Sequence, residues 1–109
     1  MAKLEHTFKG DFDIVLEKIE RGVLSGSSSA SLEDFSDFRI GDARCSVRVF
    51  ERYSFTGSNR VSLSVTLFQN GENDELKISA ITSGGSQAVF FKINTIGEEA
   101  FLDKLREIL

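Results

Sequence analysis

The sequence predicts a single α+β domain over residues 1–109, in which an antiparallel sheet of five or six strands carries two helices packed on one face. The run 61–67 alternates apolar with small polar residues without exception, which is typical of a strand with one packed face. Turn-forming residues such as Gly41-Asp42 and Asn70-Gly71 separate further segments of this kind. One segment near each end of the chain instead has apolar residues at helical spacing. The predicted order is therefore β-α-β-β-β-β-β-α.

The N-terminal part of the sequence predicts a strand followed by a helix. Apolar and polar residues alternate over residues 3–9, and Gly10 ends this first strand. Asp11 is the predicted N-cap of the helix, and either Gly22 or Gly26 ends it. The apolar stripe of this helix consists of Phe12, Val15, Leu16 and Ile19.

The middle of the sequence predicts strands joined by turns, and a second helix follows them. The strands are predicted over residues 32–40, 44–55, 61–67, 76–80 and 88–93. Gly57-Ser58-Asn59 provides one of the turns, and Ser83-Gly84-Gly85-Ser86 separates the last two strands. Thr95 and Glu98 have the spacing of a capping box, which predicts the start of the C-terminal helix. The apolar stripe of that helix consists of Phe101, Leu102, Leu105, Ile108 and Leu109.

Composition and charge favour a cytoplasmic protein. The formal net charge is −4, which weakens the case for nucleic acid or an anionic membrane as a partner. The single cysteine, Cys45, cannot form an internal disulfide, which fits a reducing compartment. The N-terminus does not have the composition of a signal peptide, and no apolar run approaches the length of a membrane span.

Strand parity predicts which residues share a face of the sheet. The residues expected to point toward the helices are Val47, Val49, the odd-numbered residues of 61–67, Leu76, Ile78, Val89, Phe91 and Ile93. The outer face is expected to carry five basic side chains, three Phe and no acidic side chain. Its candidate binding residues are Arg44, Arg48, Phe50, Arg52, Phe68, Lys77, Phe90 and Lys92.

Two interpretations of this outer face remain open. It is either a solvated surface, on which Arg and Lys stems cover exposed rings, or a recognition surface for an acidic partner, an anionic ligand or a second copy of the chain. The first hypothesis is therefore a non-enzymatic interaction module that forms homodimers or binds an acidic protein. The alternative is a small-ligand-binding domain with a pocket between helices and sheet, near His6, Cys45 and Tyr53.

Residues that support an enzymatic interpretation are few. Cys45 and His6 are both expected on the inward parity and make a nucleophile pair conceivable, but no third group accompanies them. The turn Ser83-Gly84-Gly85-Ser86 is a candidate anion-binding nest, with a flexible turn as the default interpretation. One Cys and one His do not supply a zinc site. We expect no enzymatic activity, no cofactor and no bound metal.

Two stretches of the chain carry a resemblance to a known family. They are Glu51-Arg52-Tyr53-Ser54-Phe55-Thr56-Gly57-Ser58-Asn59-Arg60 and Ile81-Thr82-Ser83-Gly84-Gly85-Ser86-Gln87-Ala88-Val89-Phe90-Phe91-Lys92. Together with Gly97-Glu98-Glu99-Ala100-Phe101-Leu102 they resemble domain of unknown function family 6054, a family of short bacterial proteins found mainly in Firmicutes. The resemblance covers almost the whole chain and implies no activity and no catalytic residue. The element order also resembles the β-α-β4-α unit of TATA-binding-protein-like folds and, more loosely, helix-grip domains, which concerns topology alone.

Overall fold

A computed structural model of the chain describes residues 1–53 and 59–84, which contain five strands and one helix. Their bounds are β1 (Ala2–Phe8), α1 (Phe12–Ser25), β2 (Ser31–Ile40), β3 (Ala43–Tyr53), β4 (Arg60–Gln69) and β5 (Leu76–Gly84). The predicted strand 88–93 and the predicted C-terminal helix lie outside the described residues. Phe90, Lys92, Gly85 and Ser86 also lie outside them.

The five strands form one antiparallel sheet in the order β1-β5-β4-β3-β2. The prediction of an antiparallel sheet is thereby confirmed for these strands. Strands β1 and β2 are consecutive in sequence but lie at opposite edges of the sheet. Helix α1 joins them and crosses one face of the sheet on the way, so it contacts the central strand β4.

Short turns connect β2 to β3 and β4 to β5, as predicted. Ile40 pairs with Ala43, so only two residues form the first turn, and Gly41 adopts a φ of 59° there. A positive φ at this position suits a two-residue hairpin and favours glycine. The loop after β4 is longer, and the Gln69 side-chain amide donates to two of its carbonyl oxygens, those of Glu72 (3.1 Å) and Asp74 (2.8 Å).

Helix α1 begins and ends at capping residues. The Asp11 side chain accepts a hydrogen bond of 3.0 Å from the backbone N–H of Ile14, which confirms the predicted N-cap. At the other end the backbone N–H of Gly26 donates to the carbonyl of Val23, so the helix ends at Gly26 rather than at Gly22. Because these caps satisfy backbone groups that the helix itself leaves without a partner, they define where α1 begins and ends.

The hydrophobic core lies between α1 and the side of the sheet that it covers. Ile19 and Val23 of the helix are buried there against strand residues. The buried strand residues of this core are Ala2, Phe50, Val61, Leu63, Val65, Leu67, Leu76, Ile78 and Ala80. Burying a side chain such as Ile19 contributes about 1.5–3 kcal/mol, so this layer is the main source of stability in the described part of the fold. In this part, no helix has both the length and the apolar composition needed to cross a membrane.

Candidate interaction face

The strand register assigns every sheet residue to one of two faces, because residues paired across antiparallel strands project to the same side. The side covered by α1 is the helix face. The opposite side, on which the described residues place no helix, is the open face. The open face comprises Lys3, Glu5 and Thr7 of β1; Ser31, Asp34, Ser36, Phe38 and Ile40 of β2; Ala43, Cys45, Val47, Val49, Glu51 and Tyr53 of β3; Arg60, Ser62, Ser64, Thr66 and Phe68 of β4; and Lys77, Ser79, Ile81 and Ser83 of β5.

The register contradicts the predicted orientation of β3. Its four candidate binding residues pair with residues of the helix face: Arg44 with Gln69, Arg48 with Val65, Phe50 with Leu63, and Arg52 with Val61. Phe50 is fully buried, and Arg48 is nearly so. The prediction that these residues lie on an outer face is therefore wrong. The prediction that Val47 and Val49 point toward the helices is also wrong, because they pair with Thr66 and Ser64 of the open face.

The predicted orientation of β4 and β5 is confirmed. Phe68 and Lys77 pair with each other on the open face, and Leu76 and Ile78 lie on the helix face with β4. Of the described strands, β3 alone has its two faces exchanged relative to the prediction. Which side chains of a strand point to a given face depends on the number of residues in the turn before it. A shift of one residue across a hairpin exchanges the two faces of the strand.

Arg48 is buried on the helix face because two elements supply its counterions. Its Nε donates to the Glu20 carboxylate of α1 at 2.6 Å, and its Nη1 donates to the Asp37 carboxylate of β2 at 2.9 Å. The Phe35 ring lies 5.3 Å from the guanidinium carbon. Burial would lower the pKa of Arg48, but the hydrogen bonds to Asp37 and Glu20 outweigh it and raise that pKa. The Arg48 guanidinium thus links α1 and β2 to β3 through hydrogen bonds.

Asp37 is correspondingly held in its charged form. Ser46 donates to the Asp37 carboxylate at 2.6 Å, and this bond, followed by those from Arg48, lowers the pKa of Asp37 below its usual value. The Asp37 side chain is still half exposed, so part of the carboxylate faces solvent at the edge of the sheet.

A second Arg–carboxylate pair fixes the start of the helix. Arg44 donates to both oxygens of Asp13, at 2.9 and 3.3 Å, and its guanidinium carbon lies 3.8 Å from the centroid of the Phe12 ring. The hydrogen bond from Arg44 lowers the pKa of Asp13. The sequence contains a signal for both pairs. Asp13 and Glu20 are seven residues apart and share a helix side, while Arg44 and Arg48 are four apart and share a strand face.

The open face carries apolar side chains along β3 and its neighbours, hydroxyl side chains on the middle strand β4, and equal numbers of acidic and basic residues among its described positions. Phe38, Cys45 and Phe68 form one cross-strand row, and Val47 and Val49 extend the apolar surface along β3. Phe38, Phe68 and Ile81 are 51%, 40% and 42% exposed. The hydroxyl residues Ser36, Ser62, Ser64, Thr66 and Ser79 lie between them. The basic residues Lys3, Arg60 and Lys77 are matched in number by the acidic residues Glu5, Asp34 and Glu51.

The structure separates the residues of the conceivable Cys–His pair. Cys45 pairs with Phe38 and Phe68 on the open face, while His6 pairs with Ile78 on the helix face, stacked on Phe8. Strands β3 and β1 are three positions apart, about 14 Å at the usual strand spacing. The two side chains cannot act together. Burial raises the pKa of the Cys45 thiol, which disfavours the reactive thiolate.

The prediction of a ligand pocket lined by His6, Cys45 and Tyr53 is also wrong, because these residues do not lie on one face of the sheet. Tyr53 pairs with Arg60 and is exposed on the open face, so only His6 lies on the side of the helix. In the part of the chain that the structure describes, a cleft lies beyond the N-terminal end of α1, between the helix start and the β4–β5 loop. Its lining is mostly charged and includes Asp11, Asp13, Arg44, Glu72 and Asp74.

The remaining predicted sites are only partly described. Ser83 and Gly84 belong to the end of β5 and pair with Ser62 and Val61, so this half of the candidate anion-binding turn is strand. Within residues 1–53 and 59–84, no group of three or more His, Cys, Asp or Glu side chains is arranged to hold a metal ion.

The fold and the open face define a small protein in which one described helix covers one side of a five-stranded antiparallel sheet. The model of DUF6054, a family of unknown function, matches residues 1–109. The chain belongs to this family, as its sequence resemblance indicated. No curated protein matches the chain.

Proposed function

We propose that this protein is a non-enzymatic interaction module that self-associates by packing its open face against the open face of a second copy. The observation that carries the proposal is the exposure of apolar side chains on the side of the sheet opposite α1, with Cys45, Val47 and Val49 at their centre. Packing of two sheets face to face is a common way to bury such residues.

The size of the open face fits a stable dimer. Five strands about 4.8 Å apart and four rows of side chains about 6.8 Å apart cover roughly 650 Å². Two copies would then bury about 1,300 Å², which lies within the usual range for specific interfaces.

The charge of the open face favours a second copy over an acidic partner or a nucleic acid. The basic residues that suggested an acidic partner, Arg44 and Arg48, are instead paired with carboxylates of the same chain. Since the remaining charges on the open face balance, two copies can meet without net repulsion. Nucleic acid would require a basic surface, and the open face offers none among its described residues.

A Lys substitution at the centre of the open face tests the proposal. Thr66 lies on the middle strand, and Thr66→Lys would place a charge inside the interface. We expect the unmodified chain to associate in native mass spectra and in sedimentation velocity, and we expect at least tenfold weaker association through the open face for Thr66→Lys, since burying an unpaired ammonium costs more than about 1.4 kcal/mol.

Ile14→Lys is the matched control. Ile14 is an exposed apolar residue of α1 that lies on the other side of the molecule, so its substitution should leave association unchanged. A monomer at all concentrations of the unmodified chain, or an equal loss of association in both variants, would overturn the proposal. A discrete additional mass on a monomer would support the ligand-binding alternative instead.

A further inference from the structure

Strand β2 is an edge of the sheet that the described strands form. It is ten residues long, and among the described residues its neighbour is β3 alone. Nearly all of the strand is exposed, including Phe35, Phe38 and Ile40. An edge of this length has unpaired backbone N–H and C=O groups that can pair with another strand.

A bulge divides this edge into two segments. The pairing of β2 with β3 shifts between Leu32 and Asp34, so the first segment is irregular. Bulges and nearby charges, here Glu33 and Asp34, are devices that keep an edge from pairing. The regular segment, from Phe35 to Ile40, has no Pro and no Lys, the residues that most often block an edge.

The charges on the regular segment are self-complementary about Phe38. Asp37 and Arg39 flank Phe38 and both project to the helix face. If two copies of β2 pair antiparallel around a two-fold axis at Phe38, Asp37 of each copy lies opposite Arg39 of the other. The half-exposed Asp37 carboxylate retains capacity for a further hydrogen bond besides those from Ser46 and Arg48.

Neighbouring registers are less favourable. An axis at Asp37 places two carboxylates opposite each other, and an axis at Arg39 places two guanidinium groups opposite each other. An axis at Ser36 requires the bulged segment to pair and places Asp37 opposite an aromatic ring. Only the axis at Phe38 matches every charge and uses only the regular segment.

From these observations we infer that two copies of the chain pair through the β2 edge, with Phe38 of each copy on the two-fold axis and two reciprocal Asp37–Arg39 ion pairs beside it. The described strands of the two copies then form one continuous ten-stranded antiparallel sheet. A two-fold axis perpendicular to the sheet places both copies of α1 on the same side and joins the two open faces on the other. This inference does not depend on the proposed packing of open faces, because it uses backbone groups and charges of β2 alone.

Cysteine cross-linking tests the register. In a Cys45→Ser background, which removes the thiol opposite residue 38 on β3, Phe38→Cys places two thiols across the axis. Opposed residues of antiparallel strands have Cα atoms about 4.5–5.5 Å apart, within the range of a disulfide. Ser36→Cys in the same background is the control, since its two copies would be about 14 Å apart along the strands.

We expect copper-catalysed oxidation to convert most of the Phe38→Cys protein to a covalent dimer and to leave the Ser36→Cys protein monomeric in denaturing gels. We expect the same result when Thr66→Lys is added, because this substitution disrupts the packing of open faces and not the pairing of β2. The double variant therefore distinguishes the two interfaces. Cross-linking of both cysteines, of residue 36 alone, or of neither would overturn the inference.

A charge substitution in the Phe38→Cys background provides a second measurement, which tests the proposed Asp37–Arg39 ion pairs. Arg39→Glu would place a second carboxylate opposite Asp37 of the other copy, while Arg39→Lys keeps the ion pair. We expect at least a fivefold loss of cross-linking yield for Arg39→Glu in the Phe38→Cys background and little change for Arg39→Lys. Equal yields for both variants would contradict the register.

Discussion

The two faces of β3 differ in a way that the sequence does not show directly. On the helix face, β3 carries charged residues that are buried because α1 and β2 supply carboxylates to them. On the open face, the same strand carries Cys45, Val47 and Val49, which have apolar surface but no covering helix among the described residues. The comparison shows that an apolar strand face need not be the core face when the chain itself can neutralise the charges on the other side.

The largest expected effect on the free energy of unfolding comes from substituting two adjacent residues of β3 that lie on opposite faces of the sheet. Phe50→Ala should lower the free energy of unfolding by about 3–5 kcal/mol, because a fully buried ring is removed from the core. Val49→Ala should lower it by only about 1 kcal/mol, since Val49 is only partly buried on the open face. Urea denaturation of both variants checks the difference, and a larger loss for Val49→Ala would show that the faces are assigned the wrong way round.

The next largest expected effect on stability comes from removing the buried charge of Arg48. Arg48→Met should destabilise the protein by about 1.5–3 kcal/mol, because the partly exposed carboxylates of Glu20 and Asp37 lose their shared hydrogen-bonding partner. Arg21→Met is the matched control, since Arg21 forms an exposed pair with Glu17 within the same helix and should contribute less than about 0.5 kcal/mol. If thermal unfolding shifts by the same amount in both variants, the Arg48 contacts do not stabilise the fold.

Much of the described fold is predictable from local sequence patterns. The N-cap at Asp11, the turn at Gly41 and the positions of the five described strands depend on residues close together in sequence, and each is confirmed. The N-terminal helix is predicted correctly except for the choice between two glycines as its end. These features follow from capping, backbone conformation and side-chain alternation, which act over a few residues.

The candidate site is less predictable, because it depends on the relation between strands. Which face of β3 is buried depends on the hairpin register and on the reach of Asp13 and Glu20 from a helix about 30 residues earlier. A rule that assigns every Arg to the outside fails here, since Arg48 has two carboxylate partners. The exposed β2 edge depends in turn on strand order, which places β2 beside β3 alone in the described sheet.

The smallest effect expected is a change in the reactivity of Cys45, which reports directly on the open face. Because burial raises the pKa of its thiol, labelling at neutral pH should be slower than for an exposed cysteine and should rise about tenfold per pH unit. A suitable comparison is Cys45→Ser with Ser28→Cys, which moves the thiol to an exposed loop position.

Dilution distinguishes burial within one copy from cover by a second copy. If open faces pack together, labelling of Cys45 should accelerate several-fold below the dimer dissociation constant, and Thr66→Lys should give the fast rate at every concentration. The Ser28→Cys comparison should show neither change. A Cys45 rate that is independent of concentration and of Thr66→Lys would mean that the open face does not contact a second copy, and the buried thiol would then be explained by its own neighbours Phe38 and Phe68 alone.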